Sequence, residues 1–268
     1  MMPTVTGNYG FFSGTDAERA RDINALFHDD DVKAIICLNG GYGSARILDK
    51  LDYEYIASHP KLVVGFSDVT ALQIALWEKC HLVTANGPLM VTLGGSDAYT
   101  AGQFFKGLTT DAWQGPLALP AGRKLTTVVP GQAEGPIVGG NLTVLTSLVG
   151  TPYALDGTGC ILVLEDTGED AYRIDRMLNQ LWQSGLLSRV AAIAYGDFTD
   201  CPNDPGDFTT DQVLDYYAHL AGKPAIKGLP VGHTKDKAFV PYGVKVRLDA
   251  DGEGASLTFI DVCGIRPL

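Results

Sequence analysis

Hydrophobic and polar positions follow two rhythms along this chain. The runs KAIICL (33–38) and KLVVGF (61–66) are short, apolar and rich in β-branched residues. Such runs predict strands buried on both faces. The stretch SGTDAERARDINAL instead repeats apolar residues at helical spacing (Ala17, Ala20, Ile23, Leu26), behind the capping residues Ser13, Thr15 and Asp16. SARILDKL (44–51) also has helical character, and DVTALQIALWEKC (68–80) predicts a further helix. HLVTANGP (81–88) reads as a third strand. Buried strands alternating with amphipathic helices imply βαβ units and a parallel sheet. Right-handed crossovers then place every strand's C-terminal end on one edge, where sites in such sheets gather.

The pattern changes after about residue 100. LTTVVPGQAEGPIVGG (125–140) is turn-rich and β-like; GGNLTVLTSLVGTP (139–152) predicts a helix opened by Asn141. ILVLEDTGED (161–170) is a strand entering an acidic loop, AYRIDRMLNQLWQSG (171–185) a helix stopped by Gly185, and RVAAIAYGDF (189–198) another buried strand. AFVPYGVKVRLDADGEGASLTFI predicts a hairpin turning at Asp251-Gly252. The expected organisation is an α/β protein: a parallel-sheet, flavodoxin/Rossmann-like domain over 1–105, a linker over 106–133, and a smaller β-rich α/β domain over 134–268.

Composition narrows the function classes. The 268 residues are 46% hydrophobic with 32 Gly and 14 Pro, enough for a large core and many loops. A net charge of −11 argues against a nucleic-acid partner, which requires a basic surface. No apolar run is long enough to span a bilayer, and MMPTVTGNYG has neither the basic nor the apolar region of a signal peptide. Five cysteines (37, 80, 160, 201 and 263) are widely spaced with no C-x-x-C pair, so neither a zinc nor a redox motif is suggested and a reducing compartment fits.

Two turns carry candidate chemistry. Gly40-Gly41-Tyr42-Gly43-Ser44-Ala45-Arg46 follows a strand, but Arg46 stands where a dinucleotide fingerprint needs its third glycine, and the Lys-Ser/Thr of a P-loop is missing. A turn aiming backbone N–H groups into a cleft also uses such glycines, and can form half of an oxyanion hole. Gly65-Phe66-Ser67-Asp68 is a strand–turn–helix junction, so Ser67 is either a nucleophile at an elbow or, like Asp68, a helix cap. A serine nucleophile needs a base, and the base an orienting carboxylate. Among the histidines, only His233 has a suggestive setting, LPVGHTKDK, where a short apolar run ends at Gly232 and opens into a charged loop. Glu165 ends the run ILVLE, with Asp166 and Glu169 as rivals that could equally solvate a loop.

GGYGSARIL (40–48), VGFSDVTAL (64–72), GGNLTVLTSLVGTP (139–152), VLEDTGEDAYRIDRML (163–178) and VGH (231–233) together resemble the LD-carboxypeptidase (muramoyltetrapeptide carboxypeptidase) family of serine peptidases, in order and spacing from Phe11 to the C-terminus. The resemblance implies a Ser67-His233-Glu165 triad, an oxyanion hole from the backbone N–H groups of Asp68 and Gly41, and a site between two domains, often in a homodimer. It implies a cytoplasmic enzyme, without metal or cofactor, that releases terminal D-alanine from murein tetrapeptide in cell-wall recycling. Arg46 and Arg173 are candidate partners for the substrate carboxylate, and Asn141 either contacts the peptide or caps its helix. Related proteins that cleave microcin C as a peptidyl-nucleotide amide, and a catalytically impaired muropeptide-binding homologue, are the alternatives. Two departures stand out: Asn39 replaces the family's usual Arg, and only residues 1–10 stand where members usually have a strand and helix, implying a truncated start or a sheet short of one strand.

Overall fold

The structure is a computed structural model that describes residues 1–109, 113–251 and 254–260. Its first half runs α1 (Asp16–His28), β1 (Ala34–Ile36), a 3-10 helix (Ser44–Lys50), α2 (Tyr53–Ser58), β2 (Leu62–Gly65), α3 (Val69–Cys80), β3 (Thr84–Asn86), α4 (Met90–Leu93) and α5 (Ala98–Thr109). The second half follows with β4 (Gly115–Pro116), β5 (Thr126–Val129), β6 (Gln132–Asn141), α6 (Leu142–Ser147), β7 (Ile161–Thr167), α7 (Ala171–Gln183), α8 (Leu186–Arg189), β8 (Ala192–Thr199), α9 (Thr210–Ala221), β9 (Ala225–Lys227), β10 (Val240–Tyr242), β11 (Lys245–Asp249) and β12 (Ser256–Phe259).

Two sheets organise these elements. The first is four-stranded, in the order β1-β2-β3-β10. Its first three strands are parallel, while β10 pairs antiparallel with β3, Val240 opposite Asn86. The second is eight-stranded, in the order β4-β12-β11-β6-β7-β8-β9-β5. Strands β6 to β9 are parallel and the flanking pairs antiparallel.

Helix α3 joins the two halves. Residues Val69 to Leu76 are all buried, which fits a mainly apolar helix enclosed on every side. It packs on β2 and β3 of the first sheet and on β6 and α6 of the second half. Each fully buried Leu or Ile there contributes roughly 1.5–3 kcal/mol. A Cβ on Gly140 would lie 2.4 Å from Thr70 Oγ1, so the glycine permits the close approach. The Asn141 N–H also donates to that hydroxyl at 3.0 Å.

SARILDKL is helical as expected, as a 3-10 helix that follows a glycine turn at Gly43 (φ 127°). Several other expectations need correction. The segment 106–133, expected as a linker, supplies β4 and β5 to the second sheet. Helix α5 has no counterpart in the sequence reading. Val240–Tyr242 leaves the expected hairpin and joins the first sheet; β11 and β12 form the hairpin. The turn residue Gly252, like Cys263, lies outside the described residues. Cys37, Cys80, Cys160 and Cys201 are free, and burial pushes the Cys160 thiol up to about 11.

Candidate active site

Strands β1, β2 and β3 are parallel, so the segments that follow them emerge at one edge. The glycine-rich loop follows β1, Ser67 follows β2, and Gly87 to Leu89 follow β3. Because β10 runs antiparallel, its N-terminal end lies beside the C-terminal end of β3. His233, seven residues before Val240, is thereby delivered to the same edge.

Ser67 has a left-handed backbone, φ 64°. A non-glycine residue there costs roughly 1–2 kcal/mol, and the junction holds it with backbone bonds. Val69 N–H donates to Phe66 O and Thr70 N–H to Ser67 O, at 3.4 and 2.9 Å. Gly65 makes the tight turn possible, since a Cβ there would lie 2.9 Å from a Val69 methyl group. Asp68 occupies the N-cap position of α3, yet its side chain makes no capping bond. Its carboxylate accepts the Ser44 N–H at 2.8 Å instead.

His233 bridges the two sheets. Its Nε2 lies 3.0 Å from Ser67 Oγ and its Nδ1 3.0 Å from Glu165 Oε2. An ionised Glu165 can only accept, which puts the proton on Nδ1 and leaves Nε2 to accept from the serine hydroxyl. The Phe66 ring meets the imidazole edge-on at 5.0 Å. Glu165 is completely buried, two residues before the end of β7. Burial raises its pKa, opposed by its bond to His233. Neighbouring backbones close around this side chain: a Cβ on Gly232 (φ 126°) would sit 2.9 Å from Glu165 Oε2, and one on Gly196 3.1 Å from Glu165 Cβ.

The rival carboxylates lie elsewhere. Asp166 accepts from Asn141 Nδ2, from Thr143 N–H and hydroxyl, and from its neighbour's Thr167 N–H, all within 2.8–2.9 Å. Glu169 pairs with Arg173 at 3.7 Å. The glycine loop abuts the serine, as a Cβ on Gly40 would lie 3.1 Å from Ser67 Cβ. Gly41 has φ 94°, and a Cβ there would meet open space. Among the described residues, neither the Gly41 nor the Asp68 N–H donates to a protein acceptor.

The other candidates have partners of their own. Asn141 Oδ1 accepts the Val144 N–H at 3.1 Å, capping α6, while its amide donates to Asp166. Arg46 forms a forked pair with Asp16, shortest contact 2.7 Å, beneath which Phe12 lies at 5.1 Å. Arg173 pairs with Glu169 and Asp170. The cation that does approach the serine turn is Lys237, which sequence reasoning missed. Its ammonium lies 5.0 Å from the Phe66 ring and donates to Thr234 O. Burial lowers its pKa. The available sequence signal is its position in the charged loop HTKDK, four residues after His233.

Models of the LD-carboxypeptidase N-terminal and C-terminal domains match residues 1–87 and 134–248. The chain belongs to the LD-carboxypeptidase family. A probable murein peptide carboxypeptidase of Bacillus subtilis is 39% identical over 91% of this chain and 77% of its own length. The microcin C7 self-immunity protein MccF of Escherichia coli is 30% identical over 95% of this chain and 82% of its own. Among solved structures, muramoyltetrapeptide carboxypeptidase from Oxalobacter formigenes superposes with TM-score 0.83 at 33% identity, covering 95% of this chain and 88% of that one. The two matched ranges include Ser67, Glu165 and His233.

Proposed function

We propose that the protein is a serine-type LD-carboxypeptidase that releases terminal D-alanine from murein tetrapeptide. The relay Ser67–His233–Glu165, with both links at 3.0 Å, carries this reading. Ser67 Oγ attacks the carbonyl carbon of the penultimate, L-configured centre as its proton passes to His233 Nε2. Glu165 holds the Nδ1–H tautomer and stabilises the imidazolium that forms. The Asp68 and Gly41 N–H groups, free of protein acceptors, stabilise the oxyanion; each such donor is worth about 3 kcal/mol. Collapse of the tetrahedral intermediate breaks the amide, and His233 returns its proton to the departing D-alanine amine. Water then attacks the acyl-enzyme by the same relay, regenerating Ser67.

We infer a cytoplasmic setting in cell-wall recycling and a homodimer from the family resemblance. The free thiols at the described cysteines accord with a reducing compartment. The similarity to MccF supports a second reading, an amide hydrolase acting on microcin-type peptidyl nucleotides with the same relay. The test is to incubate wild type and Ser67→Ala with L-Ala-D-Glu-meso-diaminopimelate-D-Ala and quantify free D-alanine. Release by wild type alone is the expected result. Cleavage of a peptidyl-nucleotide but not the tetrapeptide would favour the second reading. A folded wild type inert on both would overturn the two together.

A further inference from the structure

We infer that the Asp68 side chain is a positioning residue for the oxyanion hole: it pins the glycine-rich loop so that the Gly41 N–H stands over the same point as the Asp68 N–H. The inference rests on the proposed Ser67 chemistry. The two donors come from separate segments, the turn after β2 and the loop after β1, and an oxyanion hole works only if their spacing is fixed before reaction. That loop has little regular structure to fix it. Gly41 and Gly43 both have positive φ, and a Cβ at Gly41 touches nothing. Its start is tied by the Met90 and Val91 N–H groups, which donate to Cys37 O and Leu38 O, both at 3.1 Å, while Asn39 Oδ1 accepts the neighbouring Gly40 N–H at 3.0 Å. Its end is held at the Gly43–Ser44 peptide. Gly43 O accepts from Arg19 Nη1 at 3.1 Å, and Ser44 N–H donates to Asp68 Oδ2 at 2.8 Å.

The second of these bonds joins the loop directly to the residue after the nucleophile. Ser44 is three residues beyond Gly41, so a shift of its peptide moves the Gly41 N–H with it. Asp68 is buried and leaves α3 without a side-chain cap. An Asp at an N-cap position ordinarily accepts from its own helix; here the carboxylate bonds across segments. A single residue therefore supplies one oxyanion donor through its main chain and sets the position of the other through its side chain.

Asp68→Asn, Asp68→Glu and Asp68→Ala test this together, with kcat and KM on the tetrapeptide and hydrogen exchange over residues 40–50. Asparagine keeps an oxygen in place without the charge; glutamate keeps the charge but moves the oxygen by one methylene. Asp68→Ala and Asp68→Glu are expected to lose about 100-fold in kcat, the scale of one oxyanion donor, with KM within about threefold of wild type. Asp68→Asn is expected to restore most of that kcat, and the Ser44 amide to exchange faster in Asp68→Ala and Asp68→Glu. Asp68→Asn as impaired as Asp68→Glu would overturn the inference, as would a loss confined to KM. If Asp68→Ala does not fold, the Asn–Glu pair decides. If wild type proves inactive, the functional reading fails by itself, and unchanged Ser44 protection without the carboxylate separately overturns the bond's role.

Discussion

The Glu165 carboxyl is fully enclosed, and its Oε1 has no hydrogen-bond partner among the described residues. An ionised carboxylate held this way is destabilising for the fold while it serves the imidazole. Because burial raises its pKa above the ordinary 4.5, the folded state binds more protons than the unfolded chain between those two values. Stability from this residue therefore falls as pH rises through that window and stays lower above it. Glu165→Gln keeps an acceptor for His233 Nδ1–H and removes the charge. Its melting temperature should exceed that of wild type at pH 7.5, and the gap should close as pH drops below the unfolded-state value. D-Alanine release should fall by about 10⁴-fold, as for loss of a triad carboxylate. Calorimetric scans from pH 4 to 8, an interval of about four units, check the sign, and an equal or lower melting temperature at neutral pH refutes it. From local pattern Ser67 was ambiguous between nucleophile and cap, since an elbow and a capped helix use the same residue types. Family order, not local pattern, selected Glu165 over Asp166 and Glu169. In the structure the separation is physical, since Asp166 is saturated by Asn141, Thr143 and Thr167.

At the scale of elements, hydropathy located β1, β2, β3, β7 and β8 and helices α1, α3 and α7, because their burial is written in periodicity. What escaped it was packing supplied from far away in the chain. AYTAGQFFKGLT carries an amphipathic pattern that the sequence reading passed over; it forms α5, and Gly107 lets the helix settle on Phe239, since a Cβ there would lie 2.4 Å from the ring. VPY was read into the C-terminal hairpin, but Gly243 (φ 96°) turns the chain, which sends β10 to β3. Asn141 shows how one side chain ties elements together, capping α6 and bonding the end of β7. Asn141→Ala should lower unfolding free energy by about 2–4 kcal/mol, the cap and a buried carboxylate's donor combined. Thr15→Ala, which removes the capping box of α1, should cost only about 1 kcal/mol. Urea titrations of the two variants make the comparison, and equal losses would mean that the Asn141–Asp166 bond adds nothing.

Across the whole molecule, the relay is assembled from both sheets: Ser67 after β2, Glu165 near the end of β7, and His233 in the connection from β9 back to β10. Helix α3 seals the two halves with side chains buried on every face. Far-UV circular dichroism and D-alanine release should therefore be lost in one coincident urea transition; activity lost at clearly lower urea would show that the halves separate first. The sequence by itself determined the α/β class, the buried strands, the acidic surface and the residue types able to do acyl-transfer chemistry, since each is set by local composition and periodicity. Only the tertiary structure decided which carboxylate faces His233, that Arg46 and Arg173 have acidic partners, that Lys237 rather than either arginine approaches the serine turn, and that Asp68 reaches Ser44 rather than its own helix. Those outcomes depend on contacts between residues distant in the chain, whose geometry no local pattern specifies.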